Sequence, residues 1–210
     1  MKTLFLSSLI VFCGLIAYEN KKHRRMEEKY KQEFWKREEM ANNVRKKPLD
    51  NLPYITLPFE RLPMDVLQED SAVSECHRQL TALSSQKIVN LTGYTNTDLK
   101  LEYGTANITC LTEYDQNYTL LVRTLQEWAE ALYKHNYACE AITVLEFAIS
   151  TETDVSHSYY LLADLYDASG ASDKKADLLL TAEKLRSPFK NIIVRTLQGS
   201  GPYSGWLHSS

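Results

Sequence analysis

The chain has 210 residues, of which 44% are hydrophobic and 24% charged, with only 7 Gly and 6 Pro; this suits one mostly helical domain plus attachments. Its four cysteines (Cys13, Cys76, Cys110, Cys139) are widely spaced with no C-x-x-C, which argues against a disulfide framework and for a reducing compartment. The net charge of -3 hides an asymmetry: residues 19–47 carry an excess of +5, and residues from 48 on carry -9.

The N-terminal run "LFLSSLIVFCGLIAY", Leu4 to Tyr18, is uncharged and mostly apolar. As a helix it measures about 23 Å, short of the ~30 Å hydrocarbon core, a gap that snorkelling lysines and local thinning can close. Residues 1–18 are therefore read as a transmembrane anchor, with membrane contact through residues 4–18. A cleaved signal peptide fits the length, but no small-x-small site follows. A lipid attached at Cys13 is disfavoured by the bulky Ile10-Val11-Phe12.

Residues 19–47 follow as a basic, polar helical stalk with a thin apolar stripe (Met26, Tyr30, Phe34, Met40). Positive charge directly after the apolar run places the bulk of the chain on the cytoplasmic side of a single-pass protein. Contact of residues 21–37 with anionic lipid is one expectation; a stop-transfer signal without lipid contact is the other. Acids interleave the basic run, so nucleic acid is set aside as a partner. Asn90, Asn107 and Asn117 open Asn-x-Thr patterns, which have meaning only in a secretory lumen.

"KPLDNLPYITLPFERLPMD" carries prolines 48, 53, 58 and 63, which exclude a helix. Its apolar residues, Leu52, Tyr54, Ile55, Leu57, Phe59 and Leu62, are too many for a solvated linker. Residues 48–66 are expected as an extended strap against a helical domain spanning 67–198. Within that domain, Val73, Cys76, Leu80 and Leu83 predict an amphipathic helix over 70–88. Two short helices are expected next, one ending near Gly104 and one over 106–113. Asp115 is expected to cap a helix over 116–134, and Ser187-Pro188 to open a last one, to about Gln198, with Ile192, Ile193 and Leu197 inward.

From Asp115 on, the chain overlays on itself at an offset of 34. Trp128 maps to Leu162, Ala129 to Ala163, Leu132 to Tyr166, Asn136 to Gly170, Leu145 to Leu179 and Ala148 to Ala182. Small residues recur where paired helices approach closely, large ones around them, and Asn136 and Gly170 where a left-handed turn is needed. Residues 118–187 thereby resemble two tetratricopeptide repeats, about 118–153 and 154–187, capped by 188–198 and followed by a flexible tail over 199–210. In the second copy, Lys175 replaces the small Ala141, and Ala176 is displaced by one.

In "HNYACEAITVLEFA", His135, Cys139 and Glu140 read as an interhelical turn and helix start rather than a metal or thiol site. No metal or other cofactor is expected, and no phosphate loop or nucleophile elbow is present. The resemblance implies an all-α hairpin array and a concave face, lined by the first helix of each pair, for an unknown protein or peptide. Positions matching that face are Arg123, Gln126, Glu130, Tyr133 and Lys134, then His157, Tyr160, Asp164 and Asp167. A non-catalytic, membrane-anchored scaffold is the function so implied. An exported chaperone-like or assembly factor, and a structural subunit self-associating through the stalk, are the alternatives.

Overall fold

The computed structural model describes the backbone of residues 2–200; the side chains of residues 1–11, 13, 14, 172 and 200, and everything from residue 201 on, lie outside the description. Most of the tail, with Trp206, is therefore outside it. The described residues are helical with a single isolated antiparallel bridge, Tyr54 to Val89. Contacts divide the chain into two units: residues 1–48 with 95–108, and residues 49–94 with those from 109 on. The division differs from the expected one, because residues 95–108 leave the predicted 67–198 domain.

In the first unit, α1 (Lys2–Asn42) is one uninterrupted helix. Among the described residues no helix is long and apolar enough to cross a membrane. The expected transmembrane helix is thus not recovered there, and most of its apolar run, through Gly14, lies at positions whose side chains are outside the description. The stalk is not wholly solvated: its end packs on α3 (Asn96–Tyr103). Arg37 reaches Asp98 at 2.5 Å, Lys100 pairs with Glu38, and Thr97 donates to Glu38 at 2.6 Å. A capping box explains where α3 starts, since Thr95 accepts from the Asp98 amide while Asp98 accepts from the Thr95 amide.

Gly104 ends α3 at φ +86°; a Cβ there would lie 2.4 Å from the Arg45 carbonyl oxygen, so only glycine lets the strands of chain meet. A 3-10 turn (Thr105–Asn107) follows. Asn107 is buried, and its amide donates to the Lys47 and Tyr103 carbonyls at 2.7 Å each.

The second unit holds α2 (Ser71–Leu83), α5 (Ala138–Ser150), α6 (Ser156–Ser169), α7 (Ser172–Ala182), α8 (Lys190–Arg195) and nearly all of α4 (Ile108–Lys134). Asp70 caps α2, accepting from the Ala72 and Val73 amides at 2.9 and 3.0 Å. The helix stops at Leu83 rather than 88. Helix α4 runs 27 residues, so Asp115 is interior and caps nothing; its carboxylate accepts from the Leu91 amide at 3.3 Å. No Gly or Pro stands between 108 and 134 to break the helix.

The proline segment is packed, but it is extended only over residues 53–58; turns at 50–52, 59–62 and 64–66 break the expected strap, with the Leu62 amide donating to the Pro58 carbonyl at 3.2 Å. Leu57 and Leu62 are buried in the same core as Trp128 and Leu162, and Ile55, Phe59 and Met64 lie against it. The Ile55 amide donates to the Ile88 carbonyl at 2.9 Å. At the other end, α8 begins at Lys190, not at Pro188. Ser187 accepts from the Phe189 amide at 3.1 Å and donates to Asp154 at 2.6 Å, a turn ahead of the helix. Ile193 and Leu197 are buried as expected, but Ile192 is exposed.

Candidate partner-binding face

Helix α5 packs on α6, α6 on α7, and α7 on α8. The hairpins α4–α5 and α6–α7 turn in the same way. In the first, the Tyr137 amide donates to Leu132 at 2.9 Å and the Asn136 amide to Tyr133 at 3.0 Å. In the second, the Ala171 amide donates to Tyr166 at 2.9 Å and the Gly170 amide to Asp167 at 3.2 Å. Every partner is 34 residues from its counterpart, and Asn136 and Gly170 are both left-handed, at φ 66° and 71°. The pattern is a Schellman motif, which satisfies the last carbonyls of a helix.

The matched small residues Ala129, Ala163, Ala148 and Ala182 are all fully buried, as are Trp128, Leu132, Leu145 and Leu162. Tyr166 is buried too and donates to Glu146 at 2.8 Å. Leu179 departs from the pattern: it is only partly buried, and Leu178 is the core residue of α7. The departure begins at Lys175, which bonds Asp167 at 2.5 Å instead of filling the small-residue position, while Ala176 is exposed.

His135, Cys139 and Glu140 fall where a turn and helix start put them. His135 sits 3.5 Å from Asp70, and Glu140 lies in the first turn of α5. No group of three or more His, Cys, Asp or Glu side chains among the described residues is placed to hold a metal.

Seven of the nine residues expected on the concave face separate into three kinds; the other two, Asp164 and Asp167, are respectively half-buried and exposed on α6, Asp167 being held by Lys175. Gln126, Glu130 and His157 come together between α4 and α6: Ser158 donates to Gln126, Gln126 donates to Glu130 at 2.8 Å, and His157 stands 3.6 Å from Glu130. Gln126 is only 7% exposed, so it is a core residue and not a contact residue. Tyr160 is half-buried beneath the C-terminal segment, its hydroxyl 3.4 Å from that of Thr196, because the cap packs against α6. It is likewise withdrawn from an open face. Arg123, Tyr133 (37% exposed) and Lys134 remain exposed, with Arg123 3.5 Å from Glu127. On α6, burial and then the neighbouring Asp167 push the Asp164 carboxyl up.

Ser158, wholly buried at the α4–α6 contact, is absent from the sequence-derived set. Its signal was its spacing, three residues before the buried Leu161 and four before the buried Leu162 on the same helix. A second missed feature lies between α5, α6 and α7. There a recess of about 310 Å³ has an apolar floor of Ile149, Leu162 and Leu178, and a rim where Lys174 and Tyr166 both bond Glu146 at 2.8 Å. Glu146 and Lys174 are too far apart in sequence to be paired by inspection.

The three Asn-x-Thr amides are engaged internally. Asn90 donates to the Thr151 carbonyl at 3.0 Å, Asn117 to that of Lys87 at 3.0 Å, and Asn107 as described. Comparison with family models, with curated proteins and with solved structures finds no match.

Proposed function

We propose that this chain is a non-catalytic scaffold of the tetratricopeptide kind, held at a membrane by its N-terminal apolar run with the bulk of the chain on the cytoplasmic side. Its partner is a protein or peptide received on the face of α4 and α6. One observation carries the reading: the two hairpin turns share their bonding, residue for residue, at the repeat's period. Matched alanines with no exposed surface support it, since they let α5 and α6 approach closely. Exposed Arg123, Tyr133 and Lys134 are the contact residues, because tyrosine and arginine give the most binding energy for the area they bury. For the anchor, the support is the continuity of α1 through the apolar run and the exposure of Phe12, Leu15 and Ile16.

Affinity purification of the full chain from native membranes, wild type against Arg123→Ala/Tyr133→Ala, tests the face. A specific co-purifying protein is expected to fall at least tenfold, about 1.4 kcal/mol, with helical circular dichroism unchanged. Undiminished recovery rejects the face. Protease protection of a C-terminal tag in sealed vesicles tests the orientation independently.

A further inference from the structure

We infer that the start of the stalk is a binding site for acidic phospholipid headgroups, built on one face of α1. The inference rests on the membrane reading above and adds its lipid specificity.

Tyr18, Lys21, Lys22, Arg25, Met26 and Lys29 line one shallow recess. Their spacing of three and four residues puts all six on one side of the helix. Four are cations and none is an acid, although the surrounding sequence alternates both signs. Glu27 falls on the opposite side, and Glu19 and Glu28 flank it. Lys29 stands 3.9 Å from Glu33 across an exposed surface, so its charge is the least available.

Position selects a bilayer over other polyanions. One turn before the recess, Phe12, Leu15 and Ile16 are 59%, 59% and 45% exposed, and Tyr18 is 65% exposed. The apolar segment and the basic recess share one unbroken helix. From Tyr18 to Arg25 the rise is about 10 Å. A headgroup layer adds roughly 5–8 Å per leaflet to the hydrocarbon, so an immersed apolar segment holds Lys21, Lys22 and Arg25 at phosphate depth. Tyr18 then sits at the boundary that aromatic side chains with a polar end favour. Phosphate oxygens accept from ammonium and guanidinium groups, and each basic residue near an anionic surface contributes about 1 kcal/mol, or fivefold.

The test offers the full chain two vesicle populations in competition, phosphatidylcholine alone and phosphatidylcholine doped with phosphatidylglycerol, separated by density. Wild type is expected to favour the acidic vesicles. Lys21→Gln/Lys22→Gln/Arg25→Gln loses that preference by on the order of a hundredfold. Arg24→Gln/Lys31→Gln/Lys36→Gln, removing equal charge elsewhere on the helix, loses much less, and Lys29→Gln loses less than Lys22→Gln. Preference is expected to persist in added inorganic phosphate, which tests a free anion as the ligand, and to weaken in high salt. Equal losses in the two triple variants, or competition by free phosphate, overturn the headgroup site. Binding to both vesicle types without preference overturns it while leaving the anchor standing; binding to neither removes the anchor as well.

Discussion

Tyr118, in the middle of α4, donates its hydroxyl to the carbonyl of Thr151 at 3.1 Å, in the turn that joins α5 to α6. The same turn receives the hydroxyl of Tyr159 on Thr153 at 2.9 Å and the amide of Asn90 on Thr151 and Glu152. A loop with Glu152 at φ 59° is thus tied to α4 and to the segment after α2. Two buried phenols serve a turn whose carbonyls would otherwise be unsatisfied.

Burial pushes the Tyr118 phenol up from 10 to about 12. The fold therefore favours its neutral form. The associated stability is complete below pH 10, and it is lost as pH rises from 10 to about 12. It amounts to about 3 kcal/mol at most, since a tenfold change in acidity is worth 1.36 kcal/mol. Denaturant titrations of wild type across this range are expected to show the decline, and Tyr118→Phe to flatten part of it. At pH 7 the variant costs about 1 kcal/mol, because Asn90 still serves the Thr151 carbonyl. An identical alkaline decline in the variant rejects the assignment.

Ala163→Leu in α6 is expected to destabilise by about 1–3 kcal/mol through overpacking, and Trp128→Ala by about 3–5 kcal/mol through the cavity it leaves. Ala176→Leu, at the exposed neighbour of Lys175, stays within about 0.5 kcal/mol. Chemical denaturation of the three variants distinguishes a true small-residue position from its displaced counterpart. Equal effects at 163 and 176 contradict the packing described.

Gly104→Ala forces a Cβ against Arg45 at a φ that L residues avoid, which costs about 1–3 kcal/mol. Gly170→Ala has open space and suffers only left-handed strain, about 1–2 kcal/mol. Hydrogen exchange separates them. The Lys47 amide, bonded to the Tyr103 carbonyl at 3.0 Å, should exchange faster in Gly104→Ala and not in Gly170→Ala.

Cys139 is exposed at the start of α5, whereas Cys76 is buried and its thiol is pushed up to about 11 by desolvation. A maleimide or disulfide reagent at pH 7.5 is expected to label Cys139 in the folded chain, and Cys76 only after unfolding. Peptide mapping reads both sites; early labelling of Cys76 shows that α2 opens locally.

Much of the helical order was legible in advance. Asn136 and Gly170 stop their helices, and the buried alanines sit where the 34-residue offset put them, whereas Asp70, read as the first residue of a helix to 88, is instead the cap of α2. Less of the candidate face was. Arg123, Tyr133 and Lys134 are exposed as expected, but Gln126 is consumed by Ser158 and Tyr160 lies under the C-terminal cap. Such losses depend on which neighbour occupies a surface, and periodicity within one helix carries no record of that. The missed Glu146–Lys174 contact and the rotation of α7 that buries Leu178 arise in the same way.

Periodic side-chain size, turn residues and prolines act within a few residues, so the amino acids alone marked most of the helices, the two hairpin turns and the absence of a helix across the prolines. Folding in three dimensions determined that Asp115 lies inside a 27-residue helix, that residues 95–108 pack with α1, and which polar groups stay in water. These outcomes follow from packing between segments distant along the chain, where burial and hydrogen-bond satisfaction outweigh local preference.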